Sequence, residues 1–248
     1  MELTVQEHRL HICSIARENA SILSHPILKL ILARSSFKCK YFCLTVTPDD
    51  ITLVLDEDGY KELPEDVTVS SQCSLWVAMH ATCEASEGGP CMNKLTKYVI
   101  LPLADSEISV FNISTFQDDF ILIKESDLEK AVACLSRSNQ VTVIRRGEQL
   151  SSSDQSKQKE TQDELFSQSP RPIKHPFQSP SNRFLITSMH LKDLRHVTAP
   201  IMELILFPES IHSSSKEDKI YFFSFSIIHD QISLVLDEEA YTRFLRYI

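Results

Sequence analysis

Glycine is scarce in this 248-residue chain, with four residues, at 59, 88, 89 and 147. Neither GxxxxGK nor GxGxxG occurs, and those are the loops in which backbone N–H groups approach a phosphate closely. The usual scaffolds for phosphoryl transfer and dinucleotide binding are therefore missing. GxSxG, HExxH and local Cys–His signatures are missing too, which removes the common hydrolase and zinc-protease patterns and points away from an enzyme. Long apolar runs are lacking. No stretch approaches the roughly 18 residues that span a bilayer, and no basic start leads into an apolar run and a small-residue cleavage site. Positive charge is short: the formal net charge is −9, which repels phosphate backbones and excludes nucleic acid as an expected partner. Seven cysteines (13, 39, 43, 73, 83, 91, 134) are odd in number and form no CxxC pair, as expected of thiols in the reducing cytosol.

What is present is a repeat. ITLVLDEDGY (51–60) returns as ISLVLDEEAY (232–241), and Tyr41–Leu63 as a whole aligns with Phe222–Phe244. Upstream, HRLHICSIA from His8 parallels NRFLITSMH from Asn182, and PILKLIL from Pro26 parallels PIMELIL from Pro200. The offset is about 174 residues upstream and about 181 downstream, and the longer SIHSSSKEDK loop (210–219) accounts for the difference. The chain is internally duplicated.

One copy reads as strand (Leu10–Ile15), helix opened by Pro26, strand (40–47), a TPDD turn, strand (51–55) and a short acidic helix, DEDGYKEL. That order is the split β-α-β plan, an α+β fold in which helices cover one face of an antiparallel sheet. The plan recurs with new sequence over 67–147. CSLWVAMHA (73–81) is a strand, and 92–106 a helix with Leu95, Val99 and Leu103 on one face and Pro102 as a possible kink. Strands follow at 108–114 and 118–125, then a helix introduced by a Ser126/Glu129 capping box, then a strand at 141–146. From Gly147 to about Pro172, Ser, Gln, Lys, Glu and Pro dominate, and the segment reads as a linker. The expected organisation is module one (1–66), module two (67–147), an extended linker (148–180) and module three (181–248). Ser169-Pro170 and Ser179-Pro180 are candidate phosphate acceptors in the linker.

No metal or cofactor is expected. Cys73, His80, Cys83 and Cys91 match no zinc spacing. Asp56-Glu57-Asp58 and Asp237-Glu238-Glu239 sit at helix starts, where carboxylates favour the positive end of the dipole, so capping explains them. KIYFFSFSII has the aromatics of an RNA-recognition strand but neither its glycine nor its charge.

MELTVQEHRL, FCLTVTPDDITLVLDEDGYKELP, ILPLADSEISVFNISTFQDDFILIKESDL, HPFQSPSNRF and FFSFSIIHDQISLVLD closely resemble the CASTOR proteins, cytosolic arginine sensors of the mTOR complex one pathway, over essentially the whole chain. The resemblance implies tandem ACT modules paired one-two and three-four, a homodimer, no enzyme activity, and inhibition of the second GATOR complex relieved by L-arginine. It also implies a fourth module that this sequence lacks, so the third is expected to expose apolar surface and the arginine pocket to be incomplete. Of that pocket the resemblance assigns Ser109, Val110 and His175. A hydroxyl and strand backbone groups suit an amino acid's amino and carboxylate ends; an ordinary strand residue is the alternative for Ser109, and an ordered connection for His175. Partner contacts map to Phe116, Gln117 and Asp119, with Phe116 and Asp118 departing from the family's Tyr and Thr. The dimer face maps to Met202 and Phe207, with a core role as the alternative. A mixed dimer with a longer family member is a further expectation. Rival readings are a generic ACT-type small-molecule-binding module and a non-functional truncated isoform.

Overall fold

The computed structural model describes residues 1–32, 39–65, 67, 74–82, 91–138, 140–150, 181–208 and 220–245. Module one supplies β1 (Glu2–Ala16), a 3-10 turn (Arg17–Leu23), α1 (Ser24–Leu32), β2 (Tyr41–Val46), β3 (Asp50–Asp56) and α2 (Glu57–Tyr60). Module two supplies β4 (Trp76–Thr82), α3 (Cys91–Leu95), a π-helical stretch (Thr96–Ile100) and α4 (Leu101–Asp105). It continues with β5 (Val110–Ser114), β6 (Asp119–Lys124), α5 (Leu128–Leu135), β7 (Thr142–Arg145) and β8 (Glu148–Leu150). Module three supplies β9 (Phe184–Met189), α6 (Leu194–Leu206), β10 (Phe223–Ile228), β11 (Gln231–Asp237) and α7 (Glu238–Phe244). These strands form one curled sheet in the order β5-β6-β4-β1-β3-β2-β10-β11-β9, with β7 beside β1 and β8 beside β7.

The repeated LVLDE segments occupy equivalent places for a physical reason. Each ends a strand and caps the next helix: the Asp56 carboxylate accepts the Gly59 N–H at 2.9 Å, and Asp237 accepts the Ala240 N–H at 2.9 Å. Capping satisfies N–H groups that a helix start leaves without partners. Asp56 also accepts the Lys40 and Tyr41 N–H groups, tying the start of β2 to the end of β3.

The copies pair with each other. β2 and β10 run antiparallel with Leu44 opposite Phe225, two positions that the repeat makes equivalent, so the seam carries a pseudo-two-fold axis. On one face α1 and α6 contribute Ile27, Leu30, Ile31, Val197, Ile201 and Leu204 to a single core with Phe42 and Phe225 beneath. The expected junction of one with two is made through β1, and β2–β10 adds a junction of one with three.

That second junction extends β1 well beyond the strand expected at residues 10–15. Leu10–Ala16 pair with β3, whereas Glu2–Val5 insert between β4 and β7, antiparallel to the first and parallel to the second. A register shift between Val5 and Arg9 separates the halves. Leu3 and Val5 consequently pack with Met79, Val99, Leu103, Ile121 and Val143, inside module two. The first five residues complete the sheet of the module that follows them.

Three local expectations need correction. The helix over 92–106 accommodates Pro102 by widening into a π turn just before it, and Leu95, Val99 and Leu103 all stay fully buried. The Ser126/Glu129 capping box does not form: residues 125–127 make a 3-10 turn, and Glu129 accepts from Arg145 at 2.5 Å instead. The segment assigned to the linker begins with a strand, because Arg146 (φ 53°) and Gly147 (φ 80°) form a tight turn that returns Glu148–Leu150 onto β7. Residues 151–180 lie outside the described residues, as do Ser169 and Ser179.

The face of the sheet away from the helices folds on itself. Phe111, Phe120 and Leu122 of module two cover Leu10, Tyr41, Cys43 and Val54 of module one. The repeat makes Phe184 and Ile186 equivalent to Leu10 and Ile12, yet they stand 36% and 55% exposed.

Leu3→Ala removes a fully buried side chain at the inserted strand, so urea unfolding should show module two less stable by about 2–5 kcal/mol.

Candidate functional site

The β5–β6 hairpin turns at Thr115–Asp118, and its shape is fixed locally. The Thr115 N–H and Oγ1–H both donate to the Asp118 carbonyl at 2.8 Å, and the Asp118 N–H returns to Thr115 Oγ1 at 2.9 Å. Thr47 and Asp50 make the same exchange in module one. Short polar side chains that bond their own backbone set such turns. The Thr115–Asp118 turn is also held from outside. The Phe116 N–H donates to Ser233 Oγ of module three at 2.9 Å, and the Asp118 carboxylate bonds His80 Nε2 of β4 at 2.8 Å. The Phe116 ring nevertheless remains 53% exposed, Gln117 is exposed and Asp119 half-buried. Of the three residues assigned to partner contact, Phe116 and Gln117 thus lie in this turn and Asp119 begins the strand that follows it.

Behind the turn, aromatic contacts cross all three modules. His80 stacks on Phe120 at 5.0 Å, Phe120 meets the edge of Tyr41 at 6.1 Å, and Tyr41 meets His229 at 4.9 Å and His8 at 5.6 Å. Such tilted and edge-on pairs follow the ring quadrupole. The buried Tyr41 hydroxyl has no hydrogen-bond partner among the described residues, and burial raises its pKa. Burial likewise pushes the Cys43 thiol up to about 12, so it is an inert core thiol. Burial lowers the pKa of His229, with His8, Lys40 and His80 acting in the same direction and Asp230 opposing.

The ligand-assigned residues lie at the other end of β5. Ser109 is exposed just before the strand; Val110 is half-buried and packs against the module-two core. Neither lines the two clefts described, one of about 840 Å³ around the β1 irregularity and one of about 200 Å³ beside the Thr115–Asp118 turn. His175 lies outside the described residues. Met202 is half-buried against the shared core, whereas Phe207, just past α6, is 62% exposed. Among the described residues no group of three or more His, Cys, Asp or Glu is placed to hold a metal. Cys73 and Cys83 fall outside the described residues, and His80 bonds Asp118 instead. Sequence reasoning missed Ser233, His8 and His229, because Ser233 meets Phe116 only where modules two and three touch and His229 meets Tyr41 and His8 only where modules one and three do.

Residues 175–246 match the family described as "Cytosolic arginine sensor for mTORC1 subunit 1/2, ACT-like". Residues 9–69 match the family described as "Cytosolic arginine sensor for mTORC1 subunit 1 N-terminal domain", and residues 92–137 the ACT domain family. The chain is 34% identical over 251 residues to the rat cytosolic arginine sensor for mTORC1 subunit 1, covering 98% of this chain and 75% of that protein. The chain belongs to the CASTOR family. A shorter human relative, putative protein CASTOR3P, is 41% identical over 114 residues, 44% of this chain and 70% of that one. The regulatory subunit of aspartate kinase from Thermus thermophilus is a distant likeness, 10% identical with a TM-score of 0.36, covering 55% of this chain and 96% of that one. The α+β architecture of this CASTOR family member is that of tandem ACT modules. The rat relative is named as a cytosolic sensor, and among the described residues no helix is long and apolar enough to cross a membrane.

Acidification should weaken the three-module junction. The neutral form of His229 is the one its folded surroundings favour, so stability falls as pH drops through about 6.5, where the unfolded histidine takes up a proton that the folded one resists. Thermal unfolding followed across that range should show the loss, and His229→Gln should reduce it.

Proposed function

We propose that this chain is a CASTOR-type regulator of mTOR complex one signalling that binds and inhibits the second GATOR complex, acting in the cytosol without catalysis or a cofactor. Similarity to a named arginine sensor along 98% of the chain is the observation that carries this reading. Phe116, Gln117 and Asp119 form its partner contact. A rigid turn presenting an exposed aromatic loses little freedom on binding, which is what an interface anchor requires. The organisation we propose is module one over 1–66, module two over 67–147 and module three over 181–248, with a connecting segment over 148–180 and a dimer face at Met202 and Phe207. A homodimer and a mixed dimer with a longer relative both use that face.

Arginine acts weakly on this chain in our reading. Ser109, Val110 and His175 address the amino and carboxylate ends of the amino acid. A guanidinium calls for planar acceptors, and neither Ser109 nor Val110 provides one.

Purified chain should capture the second GATOR complex, and Asp119→Ala should weaken capture by about tenfold or more. A folded chain that captures none refutes the signalling role. Calorimetry with L-arginine should give a Kd of about 1 mM or weaker, and tight binding would contradict the incomplete pocket. Phe207→Asp should shift light scattering from dimer to monomer.

A further inference from the structure

Among the described residues β5 and β9 end the main run of the sheet, and the β5 edge has a precedent inside the chain. The β5–β6 hairpin closes on the Thr115/Asp118 exchange as the β2–β3 hairpin closes on Thr47/Asp50. Counting back from the two threonines, Asn112 takes the place of Leu44, and the residues opposite them agree, Ile121 in one hairpin and Leu53 in the other. β5 is therefore the counterpart of β2 and, through the repeat, of β10. Those two counterparts pair edge to edge about Leu44 and Phe225. β9 corresponds to Leu10–Ala16 of β1, where only Leu10 is paired on the edge away from β3, so the fold shows no such seam for it.

Nothing on β5 guards its open edge. VFNIS carries no charge and no proline, and its pairing with β6 runs without a bulge. Lone edges usually hold a lysine, a proline or a bulge against foreign strands. The strand is also fixed in place, with Val110 packed on the helix side of module two and Phe111 and Ile113 on the opposite face, so pairing has little left to order. Its exposed residues, Asn112 and Ser114, are polar. In a two-fold pairing that copies the β2–β10 register, Asn112 faces Asn112 of a second copy, and two carboxamides so placed each donate one N–H and accept one. One N–H of Asn112 already bonds Ser114 Oγ at 3.2 Å, which leaves the other N–H and the carbonyl oxygen for that exchange.

We infer that β5 is a self-association edge: two copies of the chain join β5 to β5, antiparallel about Asn112, and repeat between molecules the seam that β2 and β10 make within one. The contact is separate from the Met202 and Phe207 face and does not depend on it. A five-residue strand with a polar centre makes a small interface, so it forms at high concentration.

The test is light scattering of the full chain carrying Phe207→Asp, so that this edge is read alone. From about 10 µM to about 1 mM its mass should rise from one chain toward two. Asn112→Lys and Asn112→Asp, added singly, should each hold it at one chain, because like charges then face each other across the axis. Position 112 is exposed, so the unfolding midpoint of either variant in dilute solution should match that of the parent. An equimolar mixture of the two variants should associate again, with lysine facing aspartate. A parent that stays at one chain up to about 1 mM overturns the inference. Association that survives Asn112→Lys puts the contact on another surface, such as the β9 edge, and a mixture that stays at one chain removes the pairing about Asn112; either result overturns it.

Discussion

Backbone hydrogen bonds between β2 and β10 join two copies of a duplicated unit edge to edge, and much of the remaining structure depends on that seam. A sheet edge left unpaired exposes N–H and C=O groups that seek another strand. Pairing equivalent edges about Leu44 and Phe225 removes two such edges at once. It also brings α1 and α6 together, so the first and third modules share one apolar core. Tyr221, stacked under the Arg17 guanidinium and bonded to the Leu204 carbonyl, adds a polar tie near the seam. Lys29 with Glu62 and Arg243 with Glu203 flank the helices symmetrically, each partly shielded from solvent.

A second constraint is the double use of β1. Its C-terminal half is the first strand of module one, and its N-terminal half is an inserted strand in module two. The two modules therefore cannot separate without breaking strand pairs. That rigid link lets module two fold back over the open sheet face, where Phe120 reaches Tyr41, and lets its hairpin turn reach Ser233 of module three. The assigned partner turn is thus linked by contacts to all three modules, although its residues come from one.

Much of this was legible in the residues. LVLDE marks a strand that ends in a helix cap, because a carboxylate following an apolar run and preceding a turn of acidic residues has few other uses. Leu95, Val99 and Leu103 read as one helix face and are one. The TPDD turn was visible as a turn, whereas Asp118 was read into the following strand. The Ser126/Glu129 box misled because Arg145, nearby only in the folded state, claims the Glu129 carboxylate. Residues Glu2–Val5 gave no sign of their module, since alternation in a strand is the same whichever sheet it joins. Of the candidate site, the exposed turn residues followed from the family resemblance, whereas Ser233 and the histidines behind the turn did not.

Local chemistry in the sequence settled the elements, the duplication and the family, because periodicity, turn residues and caps act over a few positions and a repeat is written in the chain itself. Which edges pair and which faces cover each other was decided only in the tertiary structure. Strand edges look alike to a sequence, and contacts such as Phe116 with Ser233 or Tyr41 with His229 depend on a sheet that first has to curl.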